Sequence, residues 1–257
     1  MKVATWNVNS LKVRLPHVLR WLEREQPDLL ALQETKLKDE DFPADTFRDR
    51  GYVATFSGQS AYNGVAILSR EAPSAVSHDL GLGYADEQKR VLRATFGDLR
   101  FWTIYVPNGQ SVESDKYRYK LEWLAALRAA LAEELARHPD LLVVGDFNIA
   151  PDDRDVHDPK AWQGQVLCTP AERAALRALF ELGLHDVFRG FAQPERSFSW
   201  WDYRGVAFRR NQGLRIDLLL ASSPLSQRCS SCRIDKEPRG WERPSDHVPV
   251  VAEFAAS

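Results

Sequence analysis

Several apolar runs in this chain end abruptly in carboxylates, amides or an imidazole. Leu141-Leu142-Val143-Val144 gives way to Gly145-Asp146-Phe147-Asn148, which sets Asp146 and Asn148 at i and i+2, on the same side of an extended chain. An Asx turn would account for one of the two, but both at the mouth of so apolar a strand point to function. Arg215-Ile216-Asp217-Leu218-Leu219-Leu220 places a lone Asp in an otherwise nearly apolar strand. A buried ionised carboxylate is costly unless it is paired, so Asp217 needs a partner. The candidate is His247, which lies beside Asp246 and opens the apolar run Val248-Pro249-Val250. An Asp217–His247 pair fixes the imidazole tautomer and raises its pKa, which a group donating toward a phosphate oxygen requires. Thr5–Asn9 and Leu32–Thr35 add Asn7 and Glu34 at two further strand ends, where either one alone would read as a turn former or a solvated acid.

Taken together, Asn7, Glu34, Asp146, Asn148, Asp217, Asp246 and His247 offer oxygen and imidazole ligands with no thiol. Hard oxygen donors select Mg²⁺ or Mn²⁺ over Zn²⁺, and few carboxylates around an ion suit a metal that also holds substrate phosphate. This is a phosphoesterase constellation. No Gly-x-x-x-x-Gly-Lys-Ser/Thr loop and no dinucleotide fingerprint occurs, so side chains and metal must hold the phosphate. Cys168, Cys229 and Cys232 are an odd set without the second Cys/His pair of a zinc site, and they read as reduced structural thiols.

Short β-like runs alternate with helical patterns without a linker. The strand candidates are Val3–Asn9, Leu29–Gln33, Gly64–Ser69, Val91–Phe96, Arg100–Pro107, Leu141–Phe147, Phe198–Trp201, Arg215–Ala221 and Pro249–Phe254. Helical spacing appears at Leu11, Leu15, Val18, Leu19 and Leu22, and again at Leu121, Leu124, Leu131 and Leu135. Thr169-Pro170-Ala171-Glu172 is a capping box that opens a third helix, with Gly183 placed to end it. The natural packing is a four-layer α/β sandwich of two mainly antiparallel β-sheets flanked by helices. At 257 residues, one domain spanning 1–257 accommodates all of it. Apolar runs such as Leu218–Ala221 fall far short of the ~18 residues of a membrane span, and Asn7 and Asn9 interrupt any secretory apolar core. The expectation is a cytoplasmic, monomeric protein.

The run of Trp-Asn-Val-Asn-Ser at 6–10, Leu-Gln-Glu-Thr-Lys at 32–36, Tyr-Val-Pro-Asn-Gly at 105–109, Gly-Asp-Phe-Asn-Ile-Ala-Pro at 145–151, Arg-Ile-Asp-Leu-Leu-Leu-Ala-Ser at 215–222 and Ser-Asp-His-Val-Pro-Val at 245–250 resembles the exonuclease III family of the endonuclease/exonuclease/phosphatase superfamily. The segments at 155–159, 168–173 and 198–204 resemble its abasic-site endonucleases. The resemblance implies a DNA-repair phosphodiesterase. It would incise duplex DNA 5′ to abasic sites and also act as a 3′-to-5′ exonuclease and 3′-phosphatase, with double-stranded DNA carrying abasic sites or blocked 3′ ends as its partner. It further implies that Glu34, with Asn7 and Asp246, binds Mg²⁺, and that Asp146 activates water held by Asn148. A second ion would engage Asp146 and Asn148. His247, oriented by Asp217, would contact the scissile phosphate with Tyr105 and Asn108, Trp200 and Leu214 would line the sugar pocket, and Arg90 would contact DNA. The alternatives are a non-catalytic nucleic-acid-binding regulator of the same fold and a phosphatase acting on inositol or lipid phosphates.

Composition tests the nucleic-acid reading only locally. The formal charge is −2, from 34 basic and 36 acidic residues, so no bulk field advertises DNA binding. The stretch 196–215, in contrast, holds Arg196, Arg204, Arg209, Arg210 and Arg215 against Asp202 alone, interleaved with Phe198, Trp200, Trp201, Tyr203 and Phe208. Basic groups can neutralise phosphates while aromatic rings stack or wedge.

Overall fold

The computed structural model describes residues 1–255. Among these residues, eleven strands form two sheets. The six-stranded sheet contains β1 (Lys2–Asn7), β2 (Leu29–Gln33), β3 (Val53–Ser57), β4 (Val65–Ser69), β10 (Cys229–Ile234) and β11 (Val250–Phe254), in the order β10-β11-β1-β2-β4-β3. The five-stranded sheet runs β5-β6-β7-β9-β8, from β5 (Val91–Phe96), β6 (Leu99–Tyr105), β7 (Leu141–Asp146), β8 (Leu184–Asp186) and β9 (Asp217–Ser222). Each sheet has one parallel pair, β1–β2 and β6–β7, among otherwise antiparallel neighbours. The expected sandwich of mainly antiparallel sheets is the observed architecture.

Alternation along the strands creates three apolar layers. Val3, Ala31, Ile67, Phe101, Val144 and Leu219 fill the space between the sheets. On the outer face of the larger sheet, Trp6, Leu30 and Leu68 meet Val18, Trp21 and Leu22 of α1 (Leu11–Glu25) and Phe47 of α2 (Ala44–Arg48). On the other side, Trp102, Val143 and Leu218 meet Trp123, Leu127 and Leu131 of α3 (Asp115–Arg137), and α5 (Pro170–Phe180) adds Leu176 and Leu179. Between α3 and α5 lies the short α4 (Pro159–Trp162), and α6 (Ser223–Gln227) follows β9. Helix α5 starts on the complete capping box that the sequence announces: the Thr169 hydroxyl accepts from Glu172 N–H and the Glu172 carboxylate accepts from Thr169 N–H.

Two expectations need correction. Phe198–Trp201 is not a strand; only isolated bridges join Trp200 to Leu214 and to His247. Its aromatics have separate destinations instead, since Phe198 and Trp201 enter a small core with Val248 while Trp200 packs against Leu214 and Val156. Nor does Asn148 continue an extended chain, for its φ of 48° turns the backbone two residues after Asp146.

Gly145 lets β7 reach that point. It sits at φ 146°, and a Cβ there would stand 1.9 Å from the Ile104 carbonyl oxygen of the parallel neighbour. Backbone, not a flexible side chain, would have to yield. Gly145→Ala should therefore destabilise the fold by about 3–5 kcal/mol. Thermal denaturation should show the midpoint falling by roughly 10 °C, and a fall of only a degree or two would contradict the close approach.

Candidate active site

The parallel pairs β1–β2 and β6–β7 deliver four strand exits to one edge of the sandwich, and β1 packs across the sheets against β7 and β9. Asn7 ends β1, Glu34 follows β2, Tyr105 ends β6 and Asp146 ends β7. Antiparallel β9 begins at that edge, with Asp217 directly opposite Asp146 in register. His247 arrives from the loop before β11, where its carbonyl accepts from the Trp6 indole and Ser245 Oγ donates to the Asn7 carbonyl.

Asp217 and His247 form the pair that the cost of a buried acid demanded. His247 Nδ1 lies 2.9 and 3.1 Å from the two Asp217 oxygens, and both residues are buried. Ser199 completes the acid's surroundings: its hydroxyl donates to Asp217 Oδ2 at 2.6 Å and accepts from the Ile216 and Asp217 N–H groups. Burial alone would lower the imidazole pKa, but Asp217 and then Asp146 outweigh it and push His247 up to about 10. The ring is thus an imidazolium at neutral pH, with Nε2 3.7 Å from Asp146 Oδ2.

Asp146 is 1% exposed. Desolvation is the largest influence on it, His247 opposes and Asp217 reinforces, and its pKa rises to about 7. Asn7 Nδ2 donates to Glu34 Oε1 at 2.8 Å and to Asp146 Oδ2 at 2.9 Å, drawing the two acids together. The Asn148 N–H donates to Asp146 Oδ1, and its side-chain amide donates to the Val106 carbonyl. The exposed Asn108 donates its own amide to Asn148 Oδ1 at 3.2 Å. Burial, followed by the nearby Glu34 and Asp146, raises the Tyr105 phenol well above its ordinary range, so it remains a donor.

Glu34, Asp146 and His247 present ligand atoms that all lie within 4.8 Å of one another. The donors fit a divalent cation: two carboxylates converge, and Asp146 is held in an environment where its charge lacks full compensation, which a bound cation would supply. Asp246 stands apart from this trio, its oxygens taken by the Asn9 amide at 2.9 Å and the Trp200 indole at 3.0 Å. Lys36 also enters the site without having been singled out in the sequence, and its ammonium is 2.9 Å from Glu34 Oε2 and 2.6 Å from Asn9 Oδ1.

Two clefts flank these groups and share Asn108 and Gln110. One, of about 780 Å³, is lined by Glu34, Lys36, Arg90, Tyr105, Lys116 and the exposed Tyr62 among others. Arg90 is held over the Tyr105 ring and donates to the Tyr105 carbonyl. The other cleft, of about 540 Å³, has Trp200, Trp162, Val166 and Leu167 in its wall. Leu214 is fully buried behind Trp200, supporting that wall without facing the cleft. Leu167 was not legible as a wall residue, because its position rests on a left-handed φ of 78° that composition does not reveal.

The arginine-rich stretch divides. Arg209 and Arg210 are exposed, whereas Arg215 is 1% exposed and ion-paired with Asp155 and Asp186, so it is structural and cannot meet a nucleic acid. Arg204 pairs with Asp202, and Arg196 donates to the carbonyls of His157 and Asn211.

Comparison with known proteins agrees with this arrangement. Residues 4–247 match the Endonuclease/Exonuclease/phosphatase family. Exodeoxyribonuclease III of Haemophilus influenzae is 37% identical over 267 residues, covering 99% of this chain and 100% of that protein. Among solved structures, the 3′ phosphatase NExo from Neisseria bound to product DNA hairpin superposes with a TM-score of 0.97 at 44% identity, over 100% of both chains. An AP endonuclease from Archaeoglobus fulgidus gives 0.95 at 39% identity, again over 100% of both. The chain therefore belongs to the Endonuclease/Exonuclease/phosphatase family, as a nuclease of its exodeoxyribonuclease III branch.

Proposed function

We propose that this DNA-repair nuclease is a Mg²⁺-dependent phosphodiesterase that incises duplex DNA 5′ to abasic sites and removes nucleotides or phosphate from 3′ ends, with Mn²⁺ able to substitute. The observation that carries the reading is the convergence of Glu34, Asp146 and the Asp217-held imidazolium of His247 beside a cleft walled by Trp200. Glu34 and Asp146, with Asn7 and Asn148 beside them, would hold the ion, which when bound supplies positive charge to offset that developing on the phosphate oxygens, while Asp246, engaged by Asn9 and Trp200, would act from farther out. Asp146, buried beside His247 and held by the Asn148 N–H, suits a base that takes a proton from the attacking water. Asn148 would align that water while His247, Tyr105 and Asn108 donate to the phosphate oxygens. Trp200 and Leu167 would receive a deoxyribose that carries no base, selecting damage by shape. Arg90, with Lys36 and Lys116, would meet flanking phosphates in the larger cleft. The three unpaired cysteines suit a reducing, cytoplasmic setting, and a single copy of residues 1–257 acting as one domain contains every group named.

The direct test is a duplex with one abasic site, run with and without chelator beside a 3′-phosphate duplex and an inositol phosphate. The expected result is Mg²⁺-dependent cleavage of DNA alone, with Glu34→Gln slower by about 10²-fold or more. Full activity in excess chelator would overturn the assignment.

The Asp217–His247 pair should behave as one unit. Asp217→Asn and His247→Asn should each cut turnover by roughly 10²-fold, with the double variant little worse than either single. Stability should report the same pair. His247 and Asp146 bind protons more tightly folded than unfolded, so in metal-free protein their contribution is present below the unfolded pKa values and drains away as pH rises through about 7 and about 10. The melting temperature in chelator should fall across that interval, and less steeply in Asp217→Asn; additive kinetic losses or a flat stability profile would argue against the pair.

Recognition should separate from chemistry. Trp200→Ala should weaken turnover at abasic sites while leaving the Mg²⁺ dependence unchanged. The Arg209→Ala/Arg210→Ala variant should lose affinity for all duplexes alike and flatten the salt dependence, because phosphate contacts release counterions without reading the lesion. An unchanged salt slope would mean that both arginines face solvent away from DNA.

A further inference from the structure

Lys120 is a charged residue with no exposed side-chain surface, carried on the inner face of α3. An ammonium has three protons to place, and burial makes each unplaced one costly. All three find acceptors on three different segments. Lys120 Nζ donates to the carbonyl of Asn148 at 2.6 Å, to the carbonyl of Asn108 at 3.1 Å and to the Glu172 carboxylate on α5. Glu172, equally buried, uses its remaining capacity on the loop before α5, accepting from Leu167 N–H and Thr169 N–H at 3.0 Å each.

The residues gripped in this way are those that need holding. Asn148 and Leu167 are non-glycine residues in the left-handed region, at φ 48° and 78°, which an asparagine adopts readily but a leucine keeps only where its surroundings impose it. Asn108 lies on a loop, is exposed and has its amide on Asn148 Oδ1. The Lys120 stem supports the same loop from beneath, with Cδ 3.3 Å from where a Cβ on Gly109 would project. A single ion pair thus connects the two asparagines beside Asp146 with Leu167 in the wall of the Trp200 cleft.

We propose that Lys120 and Glu172 are a buried positioning pair that sets Asn108 toward the scissile phosphate and Asn148 toward the attacking water, and fixes Leu167 in the cleft wall. This rests on the function proposed above for the kinetic consequence, but not for the geometric one. Neither residue touches substrate; both act through the backbone they hold. An ion pair of this kind is not required for stability as such, since replacing both charges in a buried pair is often tolerated while removing one strands the other.

The test uses the full chain with Lys120→Met and the charge-balanced Lys120→Met/Glu172→Gln. Backbone and side-chain amide NMR should show resonances of residues 108–109, 148–149 and 167 shifted or broadened in both variants, with those of α1 and β1 in place. On abasic and 3′-phosphate duplexes, kcat should fall by about 10²-fold, as small misplacements of reacting groups do, while KM changes little. The double variant keeps the test decisive if the single one does not fold. Unmoved asparagine resonances, or a folded double variant whose kcat stays within about threefold of the parent, would overturn the proposal. Moved resonances in a protein whose parent cleaves neither duplex would leave the positioning pair standing and overturn the functional reading instead.

Discussion

Two carboxylates facing each other across a β-ladder govern this structure. Asp146 and Asp217 are register partners on β7 and β9, both essentially buried, where like charges directly opposite repel. Apolar strands could not tolerate that without positive charge between them. The His247 imidazolium is that charge, in contact with Asp217 and 3.7 Å from Asp146. Much else at this edge follows from delivering His247 there: the Trp6 and Ser245 hydrogen bonds hold the loop before β11, Ser199 satisfies the rest of Asp217, and the β1–β11 ladder fixes where the loop ends. The arrangement leaves Asp146 less than fully compensated, a demand that a bound cation would meet.

Part of the backbone strain lies at the same edge. Asn9, Ser10, Glu34, Lys36, Asn148 and Leu167 all adopt positive φ, and all lie where the chain leaves a strand or lines a cleft. Each such conformation costs of order 1–3 kcal/mol, which the three apolar layers must offset. The return is directional control. A strand exit that turns at once, instead of running on, aims its side chain across the mouth of the sandwich toward the other sheet. The split between rigid core and strained rim lets functional groups at strand ends converge with His247, which alone among them arrives on the long connection between β10 and β11.

How far the sequence reveals this depends on what each residue costs to bury. Strands that sit between apolar layers, such as β2, β4 and β7, are visible as runs of Leu, Ile and Val. Strands β3, β8 and β10 are hidden because one is half exposed, one has three residues and one reads Cys-Ser-Ser-Cys-Arg-Ile at an edge. Phe198–Trp201 misleads for the opposite reason, since aromatics recruited to a core and a cleft wall mimic a strand. The Asp217–His247 pair is legible because a buried acid without a partner is implausible. Lys120 is not, because a lysine within a helical pattern looks like part of a solvated face, and only the tertiary structure shows that it points inward. Arg215 fails for the same reason in reverse, being counted with the DNA-facing arginines while it neutralises Asp155 and Asp186.

That misplacement bears on how a chain with a formal charge of −2 could act on a polyanion. Many of its arginines are spent internally: Arg100 on Glu134, Arg93 on Asp79 and Glu134, Arg24 on Asp235, Arg215 on two aspartates. Those charges are fixed to the fold and contribute little to a long-range field, which salt would in any case screen within about 8–10 Å. The cations that line the larger cleft are few and local, Lys36, Arg90 and Lys116, with Arg209 and Arg210 exposed on the surface. On the proposed reading, DNA would be held by a small number of short-range phosphate contacts rather than by bulk attraction. Discrimination must then come from what those contacts do not provide, namely the fit of a base-less sugar or a terminal phosphate against Trp200 and Leu167. On that reading, the wall beside the Lys120–Glu172 pair is where affinity would give way to selectivity.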